Sequence, residues 1–209
     1  MRRGGSSAII HTIMTRKIKV GLDFDGVVAY NPFRIIRPIV AFVKSKIFGA
    51  NKLVFWYPKA RWQQIYWAIL HESSIFPAKG IDLLKDLVDK GYIEAHLVTA
   101  RYSFLDNHLY RWIDRYKLRK YFKTINLNKN DEQPHIFKEK MIEKYELDFF
   151  IEDNLDIVRY LSHKARLRQG FGGQAKIYWI YNILDHFINY PHKFPYLGKA
   201  LEEIEKLLG

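Results

Sequence analysis

Apolar positions fall into two rhythms along the chain. Residues 17–23, KIKVGLD, alternate and then turn apolar, which predicts a buried strand ending at Asp23. From Pro32 to Ile47, the residues Ile35, Ile36, Ile39, Val40 and Val43 recur at helical spacing, with Gly49 placed as a stop. The aromatic stretch 51–57 fits neither rhythm. A second helix is predicted from Pro58 to Glu72, with Trp62, Ile65, Tyr66, Ile69 and Leu70 on one side and Ser73-Ser74 after it. Beyond Pro77 the order is regular. A helix runs to Lys90 with Ile81, Leu84, Leu87 and Val88 inward and Gly91 as its stop. Then come a strand over 93–100, a helix over 103–117, a strand over 122–128, a helix over 134–145, a strand over 147–153 and a helix over 155–163. A strand over 176–180 and an amphipathic helix over 196–208 complete the series, while 181–195 carries no readable pattern.

Strands alternating with helices imply βαβ units, hence an α/β fold with a Rossmann-like parallel sheet flanked by helices. Ligands of such sheets bind beyond the carboxyl ends of the strands. That rule gathers Asp23, Thr99, Asn128 and Asp153, each at or near a predicted strand end.

Composition changes this picture only at the margins. The 209 residues suffice for one domain, or a core with a small inserted cap. There is no cysteine, which excludes disulfides, thiolate catalysis and cysteine-bound metals. The absence fits a reducing compartment, and a cytoplasmic protein is expected. No apolar run is long enough for a membrane span. His11 and Thr12 break the short apolar patch of MRRGGSSAIIHTIM, so a signal peptide is not expected. Residues 1–16 read as a disordered tail, and Met14 reads as a natural start. The net charge of +12 invites a nucleic-acid partner. However, Arg2, Arg3, Arg16, Lys17, Lys19, Arg166 and Arg168 supply more than half of that excess, so a solvated basic surface is the favoured reading. Deleting RLRQGFGGQ, 166–174, leaves a smooth helix–strand junction, so this segment reads as an inserted flexible loop.

Four pieces carry candidate chemistry. In VGLDFDGVV, Asp23 and Asp25 leave a strand on one face, and Gly26 permits a sharp turn. Such a pair suits magnesium, which takes carboxylate and phosphate oxygens, and one aspartate can attack phosphorus while the other handles protons. DxDG also occurs in calcium loops and ordinary turns. In LVTAR, Thr99 offers a hydroxyl, with backbone N–H groups of Ala100 and Arg101 nearby, to phosphate oxygens. Lys138, with Lys140 as competitor, is placed to neutralise phosphate and nucleophile charge. FFIEDN sends Glu152 and Asp153 out of an apolar strand, where a metal or a helix N-cap would resolve the cost of burying them.

Taken in order, these pieces resemble the haloacid dehalogenase-like (HAD) hydrolase superfamily. The resemblance runs from about residue 17 to 209, the cap and the 166–174 loop excepted. It implies Asp23 as nucleophile and metal ligand, and Asp25 as general acid/base with its carbonyl on Mg2+. It further implies Thr99, Ala100 and Arg101 at the phosphate, Lys138 as the neutralising lysine, and Asp153 as a metal ligand with Glu152 behind it or in its place. An aspartate at position 25 implies phosphoryl transfer rather than dehalogenation. About 50 residues between the DxDG turn and Ala78 lie where the superfamily inserts a cap, so 17–29 and 78–209 are expected to form the core and 30–77 a helical cap. This arrangement resembles the 5'(3')-deoxyribonucleotidase group and implies a nucleoside monophosphate substrate. Phe55, Trp56, Tyr57, Trp62, Tyr66 and Trp67 are available to stack on a base and Arg61 to meet a phosphate, although a cap core would use the same aromatics.

Overall fold

The structure is a computed structural model describing residues 16–31, 55, 58, 60–72, 75–167 and 175–208. The predicted tail up to residue 15, the helix over 32–47, Trp56, Tyr57, the side chains of Tyr66 and Trp67, and residues 168–174 lie outside that description.

Six strands form one parallel sheet in the order β5-β4-β1-β6-β7-β8. These are β1 (Ile18–Leu22), β4 (Ile93–Tyr102), β5 (Thr124–Asn128), β6 (Phe149–Glu152), β7 (Lys176–Ile180) and β8 (Lys193–Phe194). β1 is central, pairing Leu22 with Leu97 of β4 and with Ile151 of β6. The chain steps outward from β1 through β4 to β5, then returns to the other side of β1 at β6. α/β sheets bind ligands at such a reversal, at the carboxyl ends of the strands beside β1. The strand predicted over 93–100 runs on to Tyr102, with a register shift between Thr99 and Tyr102. β8 lies in the stretch that showed no pattern, because its two residues are too few to display alternation.

Helices cover both faces. On one face, α2 (Ile81–Asp89), α3 (Asp106–Arg115) and α6 (Leu197–Glu205) bury Leu84, Leu87, Leu109, Ile113, Leu201 and Ile204. On the other, α4 (Pro134–Tyr145) and α5 (Leu155–Leu167) bury Phe137, Ile157, Val158 and Leu161 against Phe150 and Trp179. α5 continues past the predicted end at His163, so Arg166 belongs to a helix and not to the inserted loop. Lys164, Ala165 and Arg166 are good helix formers, and their cations suit a helix C-terminus. Arg16, assigned to the tail from sequence, reaches the domain with its guanidinium 3.1 Å from Asp148 Oδ1.

Of the segment between β1 and α2, the structure describes α1 (Arg61–Glu72) and an antiparallel pair, β2 (Ala29–Tyr30) with β3 (Phe76–Pro77). The pair closes the two ends of the 30–77 stretch on each other. Among the described residues, no helix is long and apolar enough to cross a membrane.

One close approach locks α2 to α6. Gly80 has φ 111°, and a Cβ there would sit 2.2 Å from the backbone nitrogen of Gly198. Both the left-handed backbone and the contact exclude a side chain. Gly80→Ala is expected to lose more than about 1 kcal/mol of stability, read as a lower urea midpoint at unchanged slope.

Candidate active site at the carboxyl edge of the sheet

Asp23 follows β1 directly, and its amide donates to the Ile151 carbonyl at 3.0 Å. The chain then folds back tightly. The Ala29 amide donates to the Phe24 carbonyl at 2.8 Å, the Gly26 amide donates to the Ala29 carbonyl at 2.8 Å, and Gly26 takes φ 84°. This glycine turn holds both aspartates at the sheet edge, each with only 6% of its surface exposed.

Lys138 enters from α4 and is buried with them. Its Nζ stands 3.0 Å from Asp23 Oδ1 and donates to Glu152 Oε2 at 2.6 Å. The other oxygen of Glu152 accepts the backbone N–H groups of Asp153 and Asn154 at 3.1 and 2.9 Å. Glu152 therefore spends both oxygens on the lysine and the turn. Asn154 caps α5, its Oδ1 accepting from the amide of Asp156 at 3.0 Å. The carbonyl of Asp153 receives the indole N–H of Trp179 at 3.2 Å. Lys140 lies outside this cluster, its exposed ammonium bonded to Glu132.

One carboxylate oxygen each from Asp23, Glu152 and Asp153 lies within 4.8 Å of the others, and all three residues are buried. Burial is the largest influence on the ionisation of two of them. It pushes Asp23 up to about 6 against the pull of Lys138, with Asp153 and Asp25 adding to the rise. Burial likewise pushes Glu152 up to about 8, opposed by Lys138 and reinforced by Asp23 and Asp153. For Lys138, burial favours the neutral amine, but the adjoining Asp23 and Glu152 outweigh it and hold the ammonium above its ordinary value. Lys138 thus does not offset the burial of Asp23 and Glu152. The hard carboxylate oxygens of this cluster fit a divalent cation such as Mg2+.

Thr99 is buried, and its Oγ1 accepts the amide of Arg101 at 3.3 Å. A hydroxyl accepting there keeps its own proton to donate. Ala100 packs with the cluster on the α4–α5 face. The Arg101 guanidinium, assigned to phosphate from sequence, forks onto Asp25: Nε donates to Oδ2 at 2.8 Å and Nη2 to Oδ1 at 2.7 Å. Asn128 clamps the loop after β5, donating to the Glu132 carbonyl at 2.7 Å and accepting the Glu132 amide at 3.0 Å. Sequence reasoning missed the Arg101–Asp25 pair. The available signal was that Thr99 and Arg101, two apart on a strand, share a face. Sequence reasoning also missed the contact of Phe55 with Gln133, whose side chain accepts the Phe55 amide at 2.8 Å and donates to its carbonyl at 3.3 Å.

No protein-family model matches the chain, and no curated protein matches it. The sheet and its flanking helices nonetheless define a class. The fold is a Rossmann-like α/β fold, and HAD-superfamily hydrolases of solved structure share it. A candidate β-phosphoglucomutase from Thermotoga maritima is 13% identical, with 91% of this chain and 99% of that one aligned at a TM-score of 0.53. The candidate HAD-hydrolase YfnB from Bacillus subtilis, bound to magnesium, is 14% identical over 93% of this chain and 99% of its own, also at 0.53. A candidate haloacid dehalogenase-like hydrolase from Burkholderia xenovorans is 13% identical over 93% and 100%, at 0.52. At these identities the likeness is one of fold.

Proposed function

We propose that the protein is a Mg2+-dependent phosphomonoester hydrolase working through a phosphoryl group carried on Asp23. The observation that carries this reading is the buried Asp23 carboxylate at the strand end, 3.0 Å from Lys138 and grouped with Glu152 and Asp153.

In the first step an Asp23 oxygen attacks phosphorus and the bond to the leaving oxygen breaks. Asp25 gives that oxygen its proton, so an alcohol departs. In the second step Asp25 takes a proton from water as the water attacks phosphorus. The bond to Asp23 breaks, releasing inorganic phosphate and the free carboxylate. Lys138 offsets negative charge on Asp23 and on the phosphoryl oxygens as they approach. Thr99 donates its hydroxyl proton to one of those oxygens. Glu152 orients Lys138 through the 2.6 Å bond and supports the turn that presents Asp153. Asp23, Asp153 and the Asp25 carbonyl would hold Mg2+, which when bound supplies Lewis-acid charge to the phosphoryl group.

The substrate assigned is a small phosphorylated molecule, with a nucleoside monophosphate first in rank. Support for the nucleotide comes from the resemblance to the 5'(3')-deoxyribonucleotidase group and from the aromatic cap segment, in which Trp62 is 69% exposed. The test is phosphate release from a panel of sugar phosphates, nucleoside monophosphates and phosphorylated oligonucleotide ends, with magnesium and with chelator. Release requiring magnesium is expected, with nucleoside monophosphates preferred. Asp153→Asn is expected to raise the magnesium concentration for half-maximal rate at least about tenfold. Oligonucleotide ends ranking first, with rates falling steeply in salt, would replace the nucleotide by a nucleic-acid substrate.

A further inference from the structure

We propose that Arg101 is a positioning residue that sets the Asp25 carboxyl for proton transfer to a poor leaving group, rather than a ligand of the substrate phosphate. The proposal rests on the aspartyl-transfer reading above and narrows its substrates to alkyl phosphomonoesters.

The geometry is that of a clamp. Both carboxylate oxygens of Asp25 receive N–H bonds from one guanidinium, at 2.7 and 2.8 Å. The two side chains are only 3% and 8% exposed, so the pair is desolvated. The guanidinium carbon also lies 4.5 Å from the centre of the Phe24 ring. Phe24 is itself fully buried and meets the Trp112 ring edge-on at 4.9 Å. The arginine is therefore held along its plane by a carboxylate and across its face by a ring seated in the core. A planar fork fixes the plane of a carboxylate, which a point charge does not.

Asp25 needs such a guide. It stands on the turn at Gly26, beyond the end of β1 at Leu22, and the fork sets the plane in which its two oxygens lie. Meanwhile the phosphate has other cationic and donor groups in Lys138 and Thr99. Recruiting Arg101 to the phosphate would break a buried bidentate pair.

Leaving-group chemistry separates the two roles. An alkoxide leaves phosphorus only when it receives a proton, whereas 4-nitrophenolate leaves without one. Wild type, Arg101→Met and Arg101→Lys are assayed on an alkyl phosphate (the best nucleoside or sugar phosphate of the panel) and on 4-nitrophenyl phosphate. For Arg101→Met we expect kcat/KM on the alkyl ester, which reports the steps through leaving-group departure, to fall by about 10²–10³-fold. On the aryl ester kcat/KM falls by about tenfold or less, while kcat on both esters also carries the water step that they share. Arg101→Lys keeps the charge but loses the fork, so it follows Arg101→Met. In an Asp25→Asn background, Arg101→Met adds nothing further on the alkyl ester, since the group it positions is gone. If Arg101→Met does not fold, Arg101→Lys and the Asp25→Asn background carry the same comparison. A KM rise of about tenfold or more on both esters with kcat retained would make Arg101 a phosphate ligand and overturn the proposal. An equal kcat/KM loss on both esters would make its role merely structural. Absence of release from either ester by wild type would overturn the phosphatase reading and this role with it. Release by wild type without the leaving-group split overturns this role alone.

Discussion

Asp23→Asn is expected to cut phosphate release by on the order of 10⁴-fold or more while leaving the fold intact. Loss of a group that forms the covalent intermediate removes the route itself rather than weakening one contact along it. The asparagine keeps the shape of the side chain and its place after β1, so binding surfaces persist. Stability should not suffer without metal. Burial opposes ionisation of Asp23, whose value it pushes up to about 6, so the charged carboxylate is a load on the folded protein at neutral pH. A neutral isostere relieves that load, and Lys138 keeps its 2.6 Å bond to Glu152. Thermal unfolding in chelator should therefore show a midpoint at or above that of wild type. Magnesium should raise the wild-type midpoint more than the variant's, because a ligand of the folded state stabilises by mass action and the variant lacks one donor. Full retained turnover in Asp23→Asn would refute the covalent route.

Lys138→Met is expected to damage both activity and stability. The lysine lies between Asp23 at 3.0 Å and Glu152 at 2.6 Å, with Asp153 in the same cluster. Removing it leaves buried carboxylates without their cation. Breaking a buried pair in this way costs on the order of 3–5 kcal/mol. Urea unfolding in chelator should register that loss as a lower midpoint. Turnover should fall by about 10²–10³-fold, the range for losing one charge-stabilising group near a reacting oxygen. A companion variant separates the two effects. Lys138→Met with Glu152→Gln removes one buried ionisable group and should recover part of the stability but none of the activity. A double variant as unstable as the single one would show that Glu152 carries no charge cost. Near-normal turnover in Lys138→Met would remove the lysine from the mechanism.

Much of this molecule was readable in one dimension. The strands predicted to end at Asp23 and Asp153, the helix opening at Pro134 and the strand over 176–180 announce themselves through local periodicity. Each of them buries one face, or both, against neighbours close in structure. The carboxyl-edge rule then gathered Asp23, Thr99, Asn128 and Asp153, because a parallel sheet brings equivalent ends of its strands together whatever the loops between them do, although Asn128 turns to the Glu132 backbone. Reading failed where the local signal was short or where a partner lay far along the chain. β8 has two residues, too few for a rhythm. α5 outruns its predicted end because Lys164, Ala165 and Arg166 prefer helix, while the glycines that would stop it come later in the chain.

What the sequence determined by itself was the order of elements, the parallel α/β class and the set of side chains delivered to one edge. These depend on residue type and near-neighbour spacing, which packing enforces repeatedly along the chain. Only the tertiary structure decided the pairings within that set. It seated Lys138 rather than Lys140 beside Asp23, because only the former points inward from α4. It turned both oxygens of Glu152 toward Lys138 and the following backbone, and it closed Arg101 onto Asp25 across 76 residues of chain. Such choices arise from distances between remote segments in a desolvated space. There a charge must find its counterpart or raise the free energy of the fold, and no local pattern of residues records which counterpart it finds.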